Sequence, residues 1–346
     1  MPPDLDADVR TAVRPAHVSA AVVVALAFLA PAVALIVLGV SGGSQAADAA
    51  EYHLPTIVKF ATDWPHLDLA APRAAMTPGY HLLMTGVYRA AGGDVRAVQL
   101  STAAITAGLL ATLAWAIGRR VGWTDAVLLC LPVAWSPYVL ASGVYAVPHN
   151  LSWWAVLAGL LLALRARVGV GFYLASGAAL FAAVLTRQIH VWLIAPLCVA
   201  AFCGKGGDGT GVGGPLLARF KRAALAAAAG LPAVAALAYF VHLWGGLAPK
   251  TQDFARPAGG ANVAALAMML ATAGALGLWY AGYLQLAPRA WRWGGVGATG
   301  AALVAAAGPT TYDMTAGRWG GLWALAKVPP VVGGRSAAIV LAAAAG

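Results

Sequence analysis

The chain has 346 residues, of which 61% are apolar and 10% are charged, and its mean hydropathy is +0.77. Soluble domains carry about a quarter charged residues, so this composition excludes an ordinary water-soluble enzyme. It also excludes a disordered chain, because disordered segments are poor in apolar residues. Lys and Arg outnumber Asp and Glu by 22 to 12. We interpret the chain as an integral membrane protein whose excess of basic residues reflects cytoplasmic loops and anionic lipid, with no nucleic-acid partner.

Long apolar runs recur along the whole sequence. A helix needs about 20 apolar residues to cross the hydrocarbon layer. The runs of roughly that length or somewhat shorter lie at 17–40, 96–118, 124–146, 151–166, 168–186, 190–203, 222–243, 262–287, 293–308, 320–333 and 335–346. We therefore predict an all-α fold, a polytopic membrane helical bundle of about ten or eleven spans that forms a single transmembrane domain over 1–346. Because the last run ends inside an apolar stretch, we expect the C-terminus to be truncated.

The distribution of Lys and Arg predicts the orientation, because cytoplasmic loops are rich in both. With residues 1–16 as a cytoplasmic tail and one crossing per run, 13 of the 22 basic residues lie on the cytoplasmic side. The inner loop 204–222 is basic and Gly-rich. It lacks the GxxxxGK[ST] pattern of a phosphate-binding loop, so we interpret it as a linker. The outer side receives one large loop, 41–95, directly after the first span.

The outer loop contains two segments with helical character. Residues 51–64 carry apolar side chains at 54, 57, 58 and 61 and polar ones at 53, 56, 59 and 63, which is helical periodicity. Residues 79–92 are apolar but only 14 long, and counting them as a span would place Arg119 and Arg120 outside. We therefore predict two amphipathic helices at the outer interface.

Polar side chains retained at membrane depth or at its rim are functional candidates. In this layout they converge on the outer face: Asp48, Glu51, His53, Thr77, Tyr80, His81, Arg187, Gln188, Trp244 and Lys250. Arg187 interrupts a long apolar stretch and therefore needs an anionic partner or a water-filled cavity. The alternative is an arginine that snorkels to lipid headgroups. The spacing of the histidines matches no recurring zinc pattern, so we predict neither a metal nor another cofactor.

Three motifs carry a resemblance to a known family. They are His53–Leu54–Pro55, Thr77–Pro78–Gly79–Tyr80, and Arg187–Gln188 with Trp192. Scattered over the first two-thirds of the chain, they resemble the membrane alpha-1,2-glucosyltransferases of asparagine-linked glycosylation, which depend on dolichyl-phosphate-glucose. Members of that family carry an acidic pair shortly before the His-hydrophobic-Pro step. Here Asp48 is followed by alanine and the next acid is Glu51. The resemblance implies a distant, prokaryotic relative with a C-type glycosyltransferase fold.

The implied activity is transfer of a hexose, glucose first, from a polyprenyl-phosphate sugar to a lipid-linked or envelope glycan acceptor. In a prokaryote the site would lie on the outer face of the plasma membrane, and in a eukaryote on the lumenal face of the endoplasmic reticulum. The residues themselves favour a lipid-phase donor, because no stretch is suited to a soluble nucleotide-binding domain and the Asp-x-Asp pattern lies in the inner tail, at residues 4–8.

Chemistry of this kind needs a base for the acceptor hydroxyl and a cation for the departing phosphate. We expect Asp48, or else Glu51, to act as the base and Arg187 as the cation, with Lys250 as a helper. A single carboxylate base with direct displacement predicts inversion at the anomeric carbon.

Two other interpretations stay open at this point. One is a multi-pass transporter or flippase of a lipid-linked or small-molecule substrate, although transporters place ionisable residues near the midplane and show paired broken helices. The other is an inactive scaffold relative, suggested by the interrupted acidic pair. An Arg187 at mid-bilayer depth in a through-channel would favour transport. An Asp48 or Glu51 remote from the cavity of Arg187 would favour the scaffold.

Overall fold

The computed structural model describes residues 14–164, 167–205 and 214–249, with short pieces at 270, 297–301, 303, 331–332, 335–337 and 339–341. The chain divides into two compact units, Met1–Arg256 and Pro257–Gly346. The spans predicted at 262–287 and 293–308 lie almost entirely outside the described residues. The prediction of a single transmembrane domain stays a prediction.

The described residues of the second unit include a short hairpin. Val331–Val332 pairs antiparallel with Arg335–Ser336. Two of the apolar runs predicted as spans therefore differ locally from expectation: 320–333 ends in a strand, and 335–346 begins in one. The β-branched side chains of Val331 and Val332 favour a strand over a helix at this point.

The first unit is a bundle of α-helices. In its described residues they are α1 (Arg14–Val37), α2 (Gly43–Asp48), α3 (Leu54–Asp63), α4 (Gly79–Ala90), α5 (Val95–Val121), α6 (Trp123–Ala134), α7 (Pro137–Val144), α8 (His149–Ala163), α9 (Val170–Thr186), α10 (Ile194–Cys203), α11 (Leu216–Ala229) and α12 (Leu231–Trp244). A π-helix, Ala49–His53, joins α2 to α3, and a 3₁₀-helix, Gln188–Leu193, precedes α10. The amphipathic helices predicted for the outer loop correspond to α3 and α4.

Two helices in the described part of the chain are long and apolar enough to cross a membrane, Val18–Val37 and Val95–Val121. The number rises to four if each of two bent pairs is one span. Within those pairs, α6 and α7 meet at 71°, and α11 and α12 at 44°. The straight span predicted over 124–146 is therefore broken, because Ser136 caps α7 and Pro137 begins it. Apolar helices that could span a membrane are present, and the count of ten or eleven stays a prediction.

One core joins α1 to α5 through small and branched apolar residues. Val24, Phe28 and Ala32 lie one turn apart and pack against a matching row on α5, which comprises Ala103, Ala107, Leu110 and Ala114. Rows spaced by three or four residues allow ridges of one helix to pack into grooves of the other. The buried polar side chains of this region are bonded within it, since Asn150 donates to Thr106 Oγ1 at 2.9 Å and to the Val139 carbonyl at 3.0 Å. Both hydrogens of the Asn150 amide are therefore used inside this core.

A second core is built from α8 to α12 and the 3₁₀-helix. Leu180, Ala183 and Val184 of α9 are buried in it with Leu193 and Leu197. The outer-loop helix α4 begins directly against the end of α9. A Cβ on Gly79 would lie 2.6 Å from the Leu185 carbonyl oxygen, so only glycine permits this approach. The first turn of α4 and the last turn of α9 are consequently held side by side.

Candidate functional site

Arg187 lies at a break between two apolar helices. The backbone of Arg187 is extended, after α9 ends at Thr186 and before the 3₁₀-helix begins. Its guanidinium Nη1 donates to Nδ1 of His149, the first residue of α8, at 2.8 Å. Because an arginine can only donate, Nδ1 of His149 must be the acceptor, which makes this imidazole neutral with its hydrogen on Nε2.

Arg187 is half-buried and has no acidic partner in the described part of the chain. No salt bridge there joins it to a carboxylate, and the ion pair Lys59–Asp63 lies elsewhere, within α3. A half-buried guanidinium whose protein neighbour is a neutral imidazole retains its full charge and its donor capacity. The arrangement suits a bound anion.

Two histidines of the outer loop meet beside this arginine. His53 ends the π-helix and His81 lies in α4, and their Nδ1 and Nε2 atoms are 2.9 Å apart. Their rings stack at 5.2 Å between centroids. Burial lowers the pKa of His81 to about 3. Burial first, and then the neighbouring His81, His149 and Arg187, lowers the pKa of His53 well below its usual value. Both rings are therefore neutral at pH 7.

The second ring nitrogen of His81 identifies the donor in the hydrogen bond between His53 and His81. Nδ1 of His81 is buried and has no hydrogen-bond partner among the described residues. A buried orphan donor is rarer than a buried orphan acceptor, so we assign Nδ1 of His81 as the unprotonated atom. His81 then donates from Nε2 to Nδ1 of His53, and His53 carries its hydrogen on Nε2. His53 thus retains one N–H donor outside the pair.

His190 adds a fourth imidazole. It follows Arg187 closely, with its backbone N–H donating to the Arg187 carbonyl at 3.1 Å. Its side chain is buried edge-on against Trp153 at 5.3 Å, and in the described part of the chain neither ring nitrogen has a hydrogen-bond partner. The described residues hold no group of three His, Cys, Asp or Glu arranged as metal ligands. We therefore interpret the four histidines with Arg187 as a polar cluster that can donate to or accept from a ligand.

Gln188 ties three segments together. Its Oε1 accepts from the Thr77 backbone N–H at 3.2 Å, and its Nε2 donates to the carbonyls of Ala75 at 3.1 Å and Leu247 at 2.8 Å. Both hydrogens of the amide are used, so Gln188 has little capacity left for a substrate. The side chain predicted to bind substrate instead fastens the outer loop and the segment after α12 to the start of the 3₁₀-helix.

Three more of the predicted substrate-binding residues have packing roles. Thr77 is fully buried and donates to the Val184 carbonyl at 2.6 Å. Tyr80 is fully buried and its hydroxyl is 2.9 Å from that of Thr102. Trp244 is 2% exposed and its indole N–H donates to the Leu69 carbonyl at 2.9 Å. These side chains hold the outer loop against the bundle rather than lining an open site.

The predicted acids lie just before the histidine pair. Asp48 is half-buried at the end of α2, and Glu51 is exposed in the π-helix that ends at His53. π-helical turns are rare and occur often at functional sites. Lys250 lies outside the described residues.

A groove lies next to the cluster, between α4, α8 and α9. It has a volume of about 430 Å³ and is lined by Gly79, Leu83, Leu151, Trp154, Ala155, Ala158, Ala179, Ala182, Leu185 and Thr186. Its lining is almost wholly apolar, and alanines and a glycine leave the space between the helices open. The groove reaches Thr186, the neighbour of Arg187, so an apolar chain placed in it would extend to the charged end of the site.

The neutral histidines predict acid sensitivity. Because the folded-state pKa of His81 lies below that of the unfolded chain, the unfolded chain binds more protons between pH 6.5 and 3, and stability falls as pH falls. From pH 6.5 to 5 the loss from His81 alone is about 2 kcal/mol. His53 acts in the same direction. Thermal unfolding of purified protein at both pH values should show this drop. His81→Asn should show a smaller one, and an equal drop in the variant would contradict the assignment.

Sequence reasoning gave no role to His149 or His190, which the structure places at Arg187. The sequence signal that indicates them is a polar residue at the edge of an apolar run, as at Arg187 itself. Comparison of the chain with models of known families, with curated proteins and with solved structures gives no match.

Proposed function

We propose that the chain is a multi-pass membrane hexosyltransferase. It would move a sugar, glucose first, from a polyprenyl-phosphate donor to a lipid-linked or envelope glycan acceptor at the outer face. The observation that carries the proposal is Arg187, a half-buried cation bonded to a neutral histidine and without a carboxylate partner in the described segments. Guanidinium groups bind phosphate oxygens two at a time, which makes Arg187 the natural ligand for the donor phosphate.

The groove supports a lipid-linked donor. A polyprenyl chain is apolar and flexible, and the groove beside Thr186 is apolar and about 430 Å³ in volume. A chain lying there would place its phosphate at the end of α9, where Arg187 begins the break. The chain would exchange contacts with lipid tails for contacts with the groove, so its affinity would come from van der Waals packing without any sugar contact.

The proposed reaction is a single displacement. The acceptor hydroxyl oxygen forms a bond to C1 of the sugar while the bond between C1 and the phosphate oxygen breaks. The hydroxyl proton passes to a carboxylate, and the polyprenyl phosphate leaves with the electron pair of the broken bond. Arg187 stabilises the charge that develops on that phosphate. Attack opposite the leaving group inverts the anomeric configuration.

Asp48 and Glu51 are the proposed bases. They precede His53 by five and two residues, Asp48 at the end of α2 and Glu51 in the π-helix that ends at His53. His53, with its hydrogen on Nε2, would donate to the sugar or the phosphate. We assign Asp48 first because it is half-buried, whereas Glu51 is exposed, and partial burial strengthens a charge interaction.

Variants at the two acids test the proposal. The full chain in lipid is supplied with radiolabelled polyprenyl-phosphate glucose or mannose and with mixed cell-envelope acceptors. Loss of a general base lowers the rate by about 100-fold or more, so we expect Asp48→Asn to lose transfer and Glu51→Gln to retain most of it. The reverse pattern would move the base to Glu51. Wild-type rates in both variants would contradict a carboxylate base at either position.

One observation favours transport as a second candidate. Two helix pairs are bent, α6 with α7 at 71° and α11 with α12 at 44°, and broken helices are typical of transporters. The two candidates differ in the fate of the label. A transferase moves the sugar to a new molecule, whereas a flippase moves the intact donor to the other leaflet.

A further inference from the structure

A second group of basic side chains lies at the other end of α9 from Arg187. We call it the basic cluster and define it as Arg167, Lys205, Arg219, Lys221 and Arg222. Arg167 precedes α9 and Lys205 follows α10, and the two segments are joined by the Val168 N–H, which donates to the Lys205 carbonyl at 2.8 Å. A helix of 17 residues, such as α9, is about 25 Å long, so the basic cluster and Arg187 lie at opposite ends of one apolar helix.

Two arginines of α11 fix the geometry of the basic cluster. Arg219 donates from Nε to the Phe202 carbonyl at 3.3 Å, and its guanidinium carbon lies 4.1 Å from the centre of the Phe202 ring. Arg222, one turn later and 7% exposed, donates from Nε to the Ala201 carbonyl at 3.2 Å. Both side chains therefore converge on the last turn of α10, just before Lys205. Because Arg219 makes this bond through Nε, its two terminal nitrogens can donate to a ligand.

Acidic residues are rare in the sequence around the basic cluster. Asp208 is the sole acid between Asp125 and Asp253. Arg167, Lys205, Arg219 and Lys221 form no ion pair with a carboxylate among the described residues, so an anion would relieve the repulsion between them. Carbonyl groups at a helix C-terminus attract the arginines but carry only a partial negative charge.

Exposed apolar side chains surround the basic cluster. Val170 is 74% exposed and Leu217 is 82% exposed, and Phe220 lies between Arg219 and Lys221 at 57% exposed. Such residues next to cations are unfavourable in water but suit the boundary of a bilayer, where acyl chains cover the apolar groups and headgroups meet the charges.

We propose that the basic cluster binds the headgroup of an anionic glycerophospholipid. Arg219 and Lys205 bind the phosphate, Lys221 contributes its charge at the headgroup from a neighbouring face of α11, and the acyl chains lie along Val170, Leu217 and Phe220. The lipid would join α10 to α11 at the end of the bundle remote from the proposed transfer site. The proposal depends on the chain residing in a membrane and not on its transferase activity.

Lipid binding by the purified full chain in neutral detergent tests the proposal. Native mass spectrometry counts retained lipid, with phosphatidylglycerol and phosphatidylcholine as probes. The double variant Arg219→Gln with Lys221→Gln is compared with a matched pair, Arg119→Gln with Arg120→Gln, which are exposed at the end of α5. Each cation near an anionic headgroup contributes about fivefold in affinity, so the first pair should weaken phosphatidylglycerol binding about 25-fold and the second about twofold at most.

Three results would overturn the proposal. They are equal loss in both pairs, equal binding of the two lipids by wild-type protein, and complete displacement of phosphatidylglycerol by inorganic phosphate, which would indicate a site for a free anion. Lys205→Gln, at an exposed position, provides a second variant should the double variant misfold, and we expect it to weaken binding about fivefold. No sugar donor is present in this assay, so its failure leaves the proposed transferase function unaffected, and failure of sugar transfer leaves the lipid site unaffected.

Discussion

Replacing Arg187 by alanine is expected to reduce sugar transfer by about 100-fold or more while the protein stays folded. Removal of one group that stabilises developing charge lowers a rate by about 10²–10³-fold. Arg187 is the cation at the site, and its bond to Nδ1 of His149 is made to a neutral ring. Its loss leaves no buried charge unpaired but removes the donor to Nδ1 of His149, so we expect the variant to stay folded with a stability loss of about 1–3 kcal/mol. Initial rates with a saturating acceptor measure the effect.

Two further variants test whether the loss of transfer is due to the guanidinium group at Arg187. Arg187→Lys keeps the charge but loses the planar guanidinium group that binds two oxygens at once. Its transfer rate should therefore lie between those of Arg187→Ala and the wild type. Arg89→Ala removes an arginine of the outer loop that lies 5.2 Å over the Trp64 ring, away from the histidines, and it should transfer sugar at the wild-type rate. Equal losses in Arg187→Ala and Arg89→Ala would indicate a general effect of outer-face charge. An unchanged rate in Arg187→Ala would remove the proposed role.

Gln188→Ala should destabilise the protein by about 3 kcal/mol. The substitution leaves the Thr77 N–H and the carbonyls of Ala75 and Leu247 without their partner in a buried region, and each unsatisfied group costs about 1–3 kcal/mol before water enters. The outer loop should also loosen, since Gln188 is one of its few side-chain attachments to the bundle. Chemical denaturation measures the stability, and limited proteolysis within 64–78 measures the loosening.

Gln45→Ala is a matched control for Gln188→Ala. The Oε1 atom of Gln45 is buried without a hydrogen-bond partner among the described residues, so truncation removes an unsatisfied group rather than creating one. We expect a change within about 0.5 kcal/mol. Similar losses in both glutamine variants would show that Gln188 is an ordinary buried side chain.

Much of the local structure was predictable from the sequence. Run length and hydropathy predicted α1 and α5, and the alternation of apolar and polar residues over 51–64 predicted α3. The breaks inside the apolar runs were not predictable from the sequence. Pro137 is a signal for the end of α6, but Pro31 lies inside the continuous α1, so proline alone does not decide where a membrane helix bends.

The contact between the segment 41–95 and the end of α9 was predictable from the sequence, but the division of roles among the side chains was not. Charge bias and polar residues at the rim indicated the outer loop and the end of α9. Sequence periodicity cannot show which polar side chains use their hydrogen-bonding groups within the protein. Gln188, Thr77 and Trp244 bind backbone groups far along the chain, at separations of 59 to 175 residues. Such pairings depend on tertiary contacts, as does the meeting of Arg187 with His149.

The most direct measurement is the fate of radiolabelled glucose in vesicles that contain the purified full chain, polyprenyl-phosphate glucose and cell-envelope acceptors. The account predicts that label leaves the lipid donor and appears on a glycan with inverted anomeric configuration, and that polyprenyl phosphate accumulates in equal amount. Label that remains on the intact donor would contradict the transferase. If that donor also changed leaflet in the presence of the protein, the chain would be a flippase.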